Sequence, residues 1–429
     1  MVSYLRQPGR FALSLIGCLI WQSGQANGAF SIDQAVNLAL QGNPSLAEVQ
    51  ARAEAAAQQP SQVGALSDPV LFFNAANLPL DSFDLTQEAM TQFQVGISQK
   101  LPWPGKLELR AEAMRLTALG KQEAVHEARL MLARDVRRNW WNLFYLDKAL
   151  ATVKDNQERL RSFVQVVEAK YRVGEGLQQD VLLAQVELSG QLERQVRLRG
   201  MRNSEAARLH ALMAHPGDAS VELQPIGIPK LETLGDAEAW LQQALNERPL
   251  LNMKQHALDA MDRRLELSQK SKYPDFTLKG AYGLRGGDNP DGSSRSDFLT
   301  IGVSLNLPLY QGHKQDREVD QRNSERMAAR YALDDARREV REQVERALVD
   351  YEQGREQARL LLNGIIPQTE HTVASMLAGY QVDKVDFLTL IRTQIKLNNF
   401  RIAYWKALSQ AKQAEARLLA AVGVEMNHE

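Results

Sequence analysis

The sequence repeats itself, and a duplicated chain has to fold as two copies of one supersecondary plan. Ala39-Leu40-Gln41-Gly42-Asn43-Pro44 returns as Ala244-Leu245-Asn246-Glu247-Arg248-Pro249. Val95-Gly96-Ile97-Ser98 with Leu101-Pro102 returns as Ile301-Gly302-Val303-Ser304 with Leu307-Pro308. Tyr171-Arg172-Val173, followed by Ala184-Gln185, returns as Tyr380-Gln381-Val382, followed by Thr393-Gln394. Matching positions lie roughly 205 to 209 residues apart, a slow drift that fits a duplication with a few small insertions.

Each half reads as a helix, a pair of strands and a very long helical hairpin. In the second half Leu299, Ile301, Val303, Leu305 and Leu307 alternate with Thr300, Gly302, Ser304 and Asn306, the period of a strand with one apolar face. Phe276, Leu278, Gly280, Tyr282 and Leu284 alternate in the same way. In the first half Phe93, Val95, Ile97 and Leu101 stand against Gln92, Gln94, Ser98 and Lys100, while the partner strand near Val70 to Leu78 alternates less clearly. After each pair comes a run rich in Ala, Leu, Glu, Arg and Gln, with Pro367 its one internal proline. About 65 residues at ~1.5 Å each span on the order of 100 Å, which makes these runs coiled-coil struts. Residues 27–225 are thus expected as the first repeat, with a strand pair in 67–102 and a hairpin in 106–214. Residues 226–429 are expected as the second, with a strand pair in 274–308 and a hairpin in 315–422. The fold class is mainly α with a small β part.

Residues 1–26 read as an export signal peptide: Arg6 and Arg10 form a basic start, Phe11 to Trp21 an apolar stretch and Gly24-Gln25-Ala26 a cleavage site. Leu15-Ile16-Gly17-Cys18 also resembles a lipobox, which would make Cys18 a lipidated first residue, and the two readings stand side by side. Cys18 is the only cysteine, so no intrachain disulfide, thiolate metal site or cysteine nucleophile is expected. No later stretch approaches 18 consecutive apolar residues, the length of a membrane-spanning helix. With 51 basic against 52 acidic side chains, nothing points to nucleic acid.

A strand of about ten residues tilted by ~45° matches the hydrocarbon layer, and alternation suits a wall between lipid and water. Four strands cannot close a barrel, since single-chain barrels need at least about eight. Either several subunits share one wall, or the hairpins pack on helices in a periplasmic protein. The order helix, strand pair, long hairpin, repeated once over nearly the whole chain, resembles the TolC family of outer-membrane factors. Tyr171-Arg172-Val173-Gly174 with Asp180-Val181-Leu182 and Ala184-Gln185 is similar to that family's hairpin-tip motif. The resemblance implies a homotrimer whose twelve strands form a β-barrel in outer-membrane lipid of a Gram-negative bacterium and whose helices form a periplasmic tunnel. It further implies a periplasmic adaptor (membrane fusion) protein and an inner-membrane pump of the RND type as partners, with no cofactor. Leu101-Pro102-Trp103-Pro104-Gly105-Lys106, preceded by Asp68-Pro69-Val70 and Asn77-Leu78-Pro79, resembles the CzcC- and CusC-like subgroup that serves heavy-metal pumps. Pro102 and Pro104 can stop a strand and preset a helical turn, and Gly105 permits a tight bend. Pro102, Trp103, Pro104 and Gly105 are therefore expected to manage a barrel-to-tunnel junction.

Function then lies in a hole, its lining and its gate. No nucleophile elbow or phosphate-cradling loop is present, and the seven histidines lack the paired spacing of metal ligands, so neither an enzyme nor a metal site is expected. The resemblance implies a constriction acid at Asp180. The equivalent position in the second half is Thr389, and Asp383 and Asp386 nearer the tip could take its place. These three aspartates are gate candidates, with ordinary solvated tip residues as the alternative. Adaptor docking is expected at Gly174, Gly176, Leu177 and Val181: a turn needs only one of the glycines, and Leu177 and Val181 offer apolar anchors. The function expected is passive export of heavy-metal cations. Export of organic toxicants or a secreted polypeptide by the same channel, and a periplasmic coiled-coil scaffold without a pore, are the alternatives.

Overall fold

The computed structural model describes residues 29–214 and 221–424; the expected signal segment and Cys18 lie outside them. Each leading segment, expected as one helix, is broken in two. Helix α1 (Ile32–Gly42) gives way to α2 (Pro44–Ala57) at Asn43, and a short α3 (Gln59–Gly64) follows. In the second repeat α6 (Ala237–Glu247) gives way to α7 (Pro249–Lys270) at Arg248. Proline at the first helical position drives the residue before it into extended backbone, and Asn43 and Arg248 share a ψ of 118°.

Strands β1 (Val70–Ala76), β2 (Gln92–Leu101), β3 (Phe276–Leu284) and β4 (Phe298–Leu305) form one antiparallel sheet in that order. The two strand pairs are joined because β2 and β3, from different repeats, pair from Phe93–Leu284 to Leu101–Phe276. The register gathers Leu71, Phe73, Phe93, Val95, Ile97, Leu278, Tyr282, Ile301 and Val303 on one face and Gln94, Ser98, Lys100, Thr277, Lys279, Thr300 and Ser304 on the other. No described residue covers the apolar face, where Ile301 is 80% exposed. The blurred alternation of β1 comes from Phe72, which sits on the polar face over Gly96; a Cβ at Gly96 would collide with its ring.

The first hairpin is α4 (Lys106–Arg172), 67 residues and so about 100 Å long, with α5 (Gln178–Met213) returning beside it. The second runs α8 (Gln315–Leu360), a π turn (Leu361–Ile365), α9 (Ile366–Gln381) and α10 (Phe387–Val422). The π turn ends two residues before Pro367, whose ring crowds the carbonyl four residues earlier and which has no N–H to donate. Among the described residues no helix is long and apolar enough to cross a membrane.

The main core joins the hairpins: Trp140, Leu143, Phe144 and Leu160 of α4 meet Leu209 of α5 and Leu390, Ile391 and Leu408 of α10. Trp141 packs edge-on to Trp140 at 4.9 Å, and Trp405 edge-on to Phe144 at 6.0 Å. Each such side chain contributes about 1.5–3 kcal/mol by leaving water. At the kink, Arg248 is 2% exposed and donates to Glu127 from Nε (2.9 Å) and Nη2 (2.7 Å), tying α7 to α4.

Candidate functional site

Both hairpin tips are built as the same helix-ending turn. Glu175 N donates to Lys170 O (2.9 Å) and Gly174 N to Tyr171 O (3.1 Å); Lys384 N donates to Gly379 O (2.9 Å) and Asp383 N to Tyr380 O (3.2 Å). The turn needs one left-handed residue, supplied by Gly174 (φ 80°) and by Asp383 (φ 58°). It also needs one small residue where the chain recrosses the helix. In the first tip that is Gly176, whose added Cβ would lie 3.0 Å from Lys170 Cβ; in the second it is Gly379, whose added Cβ would lie 2.7 Å from Val385 Cγ2. The turn thus accounts for both glycines, not for one only. Leu177 is exposed, with Leu182 and Val186 continuing an apolar strip on α5, whereas Val181 is half-buried and packs on the core.

The three aspartates stand close together with different surroundings. Asp383 accepts from Lys170 Nζ at 2.5 Å, and the same ammonium lies 5.0 Å from the Tyr380 ring centroid and 3.3 Å from Tyr380 O, so it bridges the two hairpins. Asp386 caps α10: Oδ2 accepts from the Thr389 hydroxyl (2.7 Å) and Oδ1 from Thr389 N (2.9 Å), which holds its pKa below the ordinary carboxylate value. Asp180 lies in the first turn of α5, where burial, and then the Asp386 charge, push its pKa up. Tyr380 is raised by burial and by Asp180 and Asp383. The sequence reading missed Lys170 and Tyr380. Tyr380 was visible as a repeat match, while Lys170 carried no signal because its partner is 213 positions away.

In the segment 102–105, expected as a barrel-to-tunnel junction, Gly105 adopts φ 82° before α4. Trp103 stacks on Tyr273 (5.0 Å) and Phe276 (5.9 Å), and its backbone N–H donates to Asp275 Oδ1 at 3.0 Å. Lys106, 5% exposed, donates to Asp275 Oδ1 and to Tyr273 O, both at 2.8 Å. Burial alone would raise the Asp275 pKa; the Lys106 hydrogen bond, the Trp103 N–H and the charges of Lys106 and Lys100 outweigh it and hold the carboxyl low. The start of the first long helix is thereby locked to the start of β3 in the other repeat. Among the described residues no group of three His, Cys, Asp or Glu side chains is placed to hold a metal ion.

A family model described as outer membrane efflux protein matches residues 35–215 and 240–424, one segment in each repeat. The chain belongs to this family. That family is one of non-enzymatic outer-membrane channels with a periplasmic helical tunnel, and an apolar face left bare, as on this sheet, is what a lipid-facing wall requires. Its TolC-like fold is shared with the outer-membrane channel OprN, at a TM-score of 0.78 and 17% identity over 91% of this chain and 89% of that one. The alkaline protease secretion protein AprF of Pseudomonas aeruginosa is 22% identical over 338 residues, 78% of this chain and 65% of that protein. The cobalt-zinc-cadmium resistance protein CzcC of Cupriavidus metallidurans is 24% identical over 179 residues, 41% of this chain and 40% of that protein. The chain therefore spans less than two thirds of either curated relative.

Proposed function

We propose that the chain is the outer-membrane subunit of a tripartite efflux system, a passive duct formed by a homotrimer. The observation that carries this reading is the sheet itself, with β1 and β4 unpaired at its two edges and one face apolar and bare. An unpaired edge cannot persist in hydrocarbon, so further copies must complete the wall, and three copies give twelve strands. In this reading a periplasmic adaptor docks on the tips around Gly174, Gly176 and Leu177, an RND-type inner-membrane pump drives transport, and the Asp180–Asp383–Asp386 cluster narrows the closed end. Heat-modifiable trimers in outer-membrane fractions, and ion conduction by the purified protein in planar bilayers, are the expected results. A folded trimer that conducts nothing would sink the duct and leave the scaffold.

Heavy-metal cations are the cargo favoured by the junction motif and by the likeness to CzcC. The longer likeness to AprF supports a second reading, in which the cargo is an organic compound or a polypeptide. The metal-tolerance profile of a deletion strain decides between them: unchanged tolerance to every metal tested removes the first.

A further inference from the structure

None of the four strands contains an aspartate or glutamate, yet two contain a lysine: Lys100 near the end of β2, and Lys279 in β3. Lys100 pairs with Thr277 and Lys279 with Ser98, which puts both on the polar face, diagonally across adjacent strands. Residues so related lie about 7–8 Å apart. Both are exposed rather than folded onto the wall. The acid nearest Lys100 is Asp275, at 4.0 Å, and that carboxylate is already engaged at 2.8 Å by Lys106 and at 3.0 Å by the Trp103 N–H. Lys279 faces Gly302 on β4 and has no carboxylate partner among the described residues. Two positive charges therefore stand on the polar side of the wall, Lys100 one residue and Lys279 three residues from the junction end of their strands, with little to neutralise them.

We propose that this end of the barrel is an anion-attracting collar, formed by Lys100 and Lys279 of every copy, and that it favours small multivalent anions such as carboxylates and phosphates over free cations. The inference rests on the trimeric duct proposed above, in which six ammonium groups ring one aqueous passage. Low-dielectric walls focus the field of like charges placed around water, so the collar acts on whatever passes at that level. Its sign is opposite to that of the aspartates at the tips. It deepens the cargo question: a bare divalent metal ion meets like charge here, and an anionic organic compound does not.

Purified trimer in planar bilayers tests this with a potassium chloride gradient and with citrate as a blocking anion added from the tunnel side. The Lys100→Gln/Lys279→Gln variant should move the reversal potential toward cations and raise the half-blocking citrate concentration by about tenfold or more. Lys100→Arg/Lys279→Arg, which keeps the charge, should match the unmodified protein. An intact glutamine-variant trimer with unchanged reversal potential and unchanged citrate block overturns the collar while leaving the duct standing. Absence of conduction by the unmodified protein overturns the duct, and the collar with it.

Discussion

At the hairpin tips, Asp180 is the carboxylate whose surroundings oppose its charge, burial first and the Asp386 carboxylate second. A carboxyl with a raised pKa in the fold takes up a proton there before it does in the unfolded chain, so its burden on the folded tip is relieved as pH falls toward the ordinary value of 3.8. Asp386 has the opposite sign: its contribution is present above 3.8 and is lost only as pH falls through its lowered value. Protease nicking at the tips should therefore slow as pH falls from neutrality toward 3.8. Asp180→Asn should be slow already at neutrality and nearly flat with pH, and an unaltered pH slope would show that Asp180 is not the source. The Lys170 bridge gives a second prediction. Asp383→Gly keeps the left-handed turn and removes a partner whose side chain is 69% exposed, so open probability in bilayers should rise by about fivefold or less. Lys170→Met loses the cation–π contact as well and should open the channel further; the reverse order would count against the Lys170 bridge as what holds the tips together. The aspartates were legible as residues near a turn, and the Asp386 cap is local, but the Asp383–Lys170 pair and the effect of Asp386 on Asp180 each depend on the other hairpin.

Between the tips and the aromatic core, α4, α5 and α10 bury a set of amides where coiled-coil seams ordinarily carry leucine or alanine. Gln394 Nε2 donates to Asn156 Oδ1 (2.9 Å), Asn398 Nδ2 to Gln191 Oε1 (3.3 Å), and Gln157 Nε2 to Gln191 O and Gln195 Oε1 (both 3.1 Å). Asn156 Nδ2 and Asn398 Oδ1 have no partner among the described residues. Buried amides of this kind fix register at the expense of stability. Asn156→Leu alone strands the Gln394 amide and should cost about 1–3 kcal/mol, while Asn156→Leu/Gln394→Leu should recover most of it. Urea unfolding of the trimer in detergent measures the cycle, and additive losses would count against the pairing. These amides resemble a solvated helix face when read along the chain, because their burial is decided by the neighbouring hairpin. The strands were legible because alternation is local; β1 was not, because only the bare backbone of Gly96, on the next strand, makes room for Phe72. Asn43-Pro44 and Arg248-Pro249 were visible as a repeat, yet each leading segment was read as one helix although proline at N1 marks a start.

For the whole molecule, the decisive question is which side of the sheet meets lipid. The two repeats contribute a hairpin each, and their β2–β3 seam makes one wall with Ile301, Val303 and Leu305 on the same face as Val95 and Ile97. Val303 is 62% exposed in the single chain, and an arginine there would have to sit in hydrocarbon, costing up to about 2–4 kcal/mol at the bilayer midplane. Ser304, one residue on, points to the polar side, where an arginine stays hydrated. Val303→Arg should therefore reduce the fraction of heat-modifiable trimer in outer-membrane fractions, and Ser304→Arg should leave it near normal. Ser304 pairs with Thr277, which in turn pairs with Lys100, so its arginine would also join the positive collar and lean the conductance further toward anions. Equal loss of trimer in the two variants would mean that the faces are assigned the wrong way round, and with them the lipid belt and the water-filled lumen.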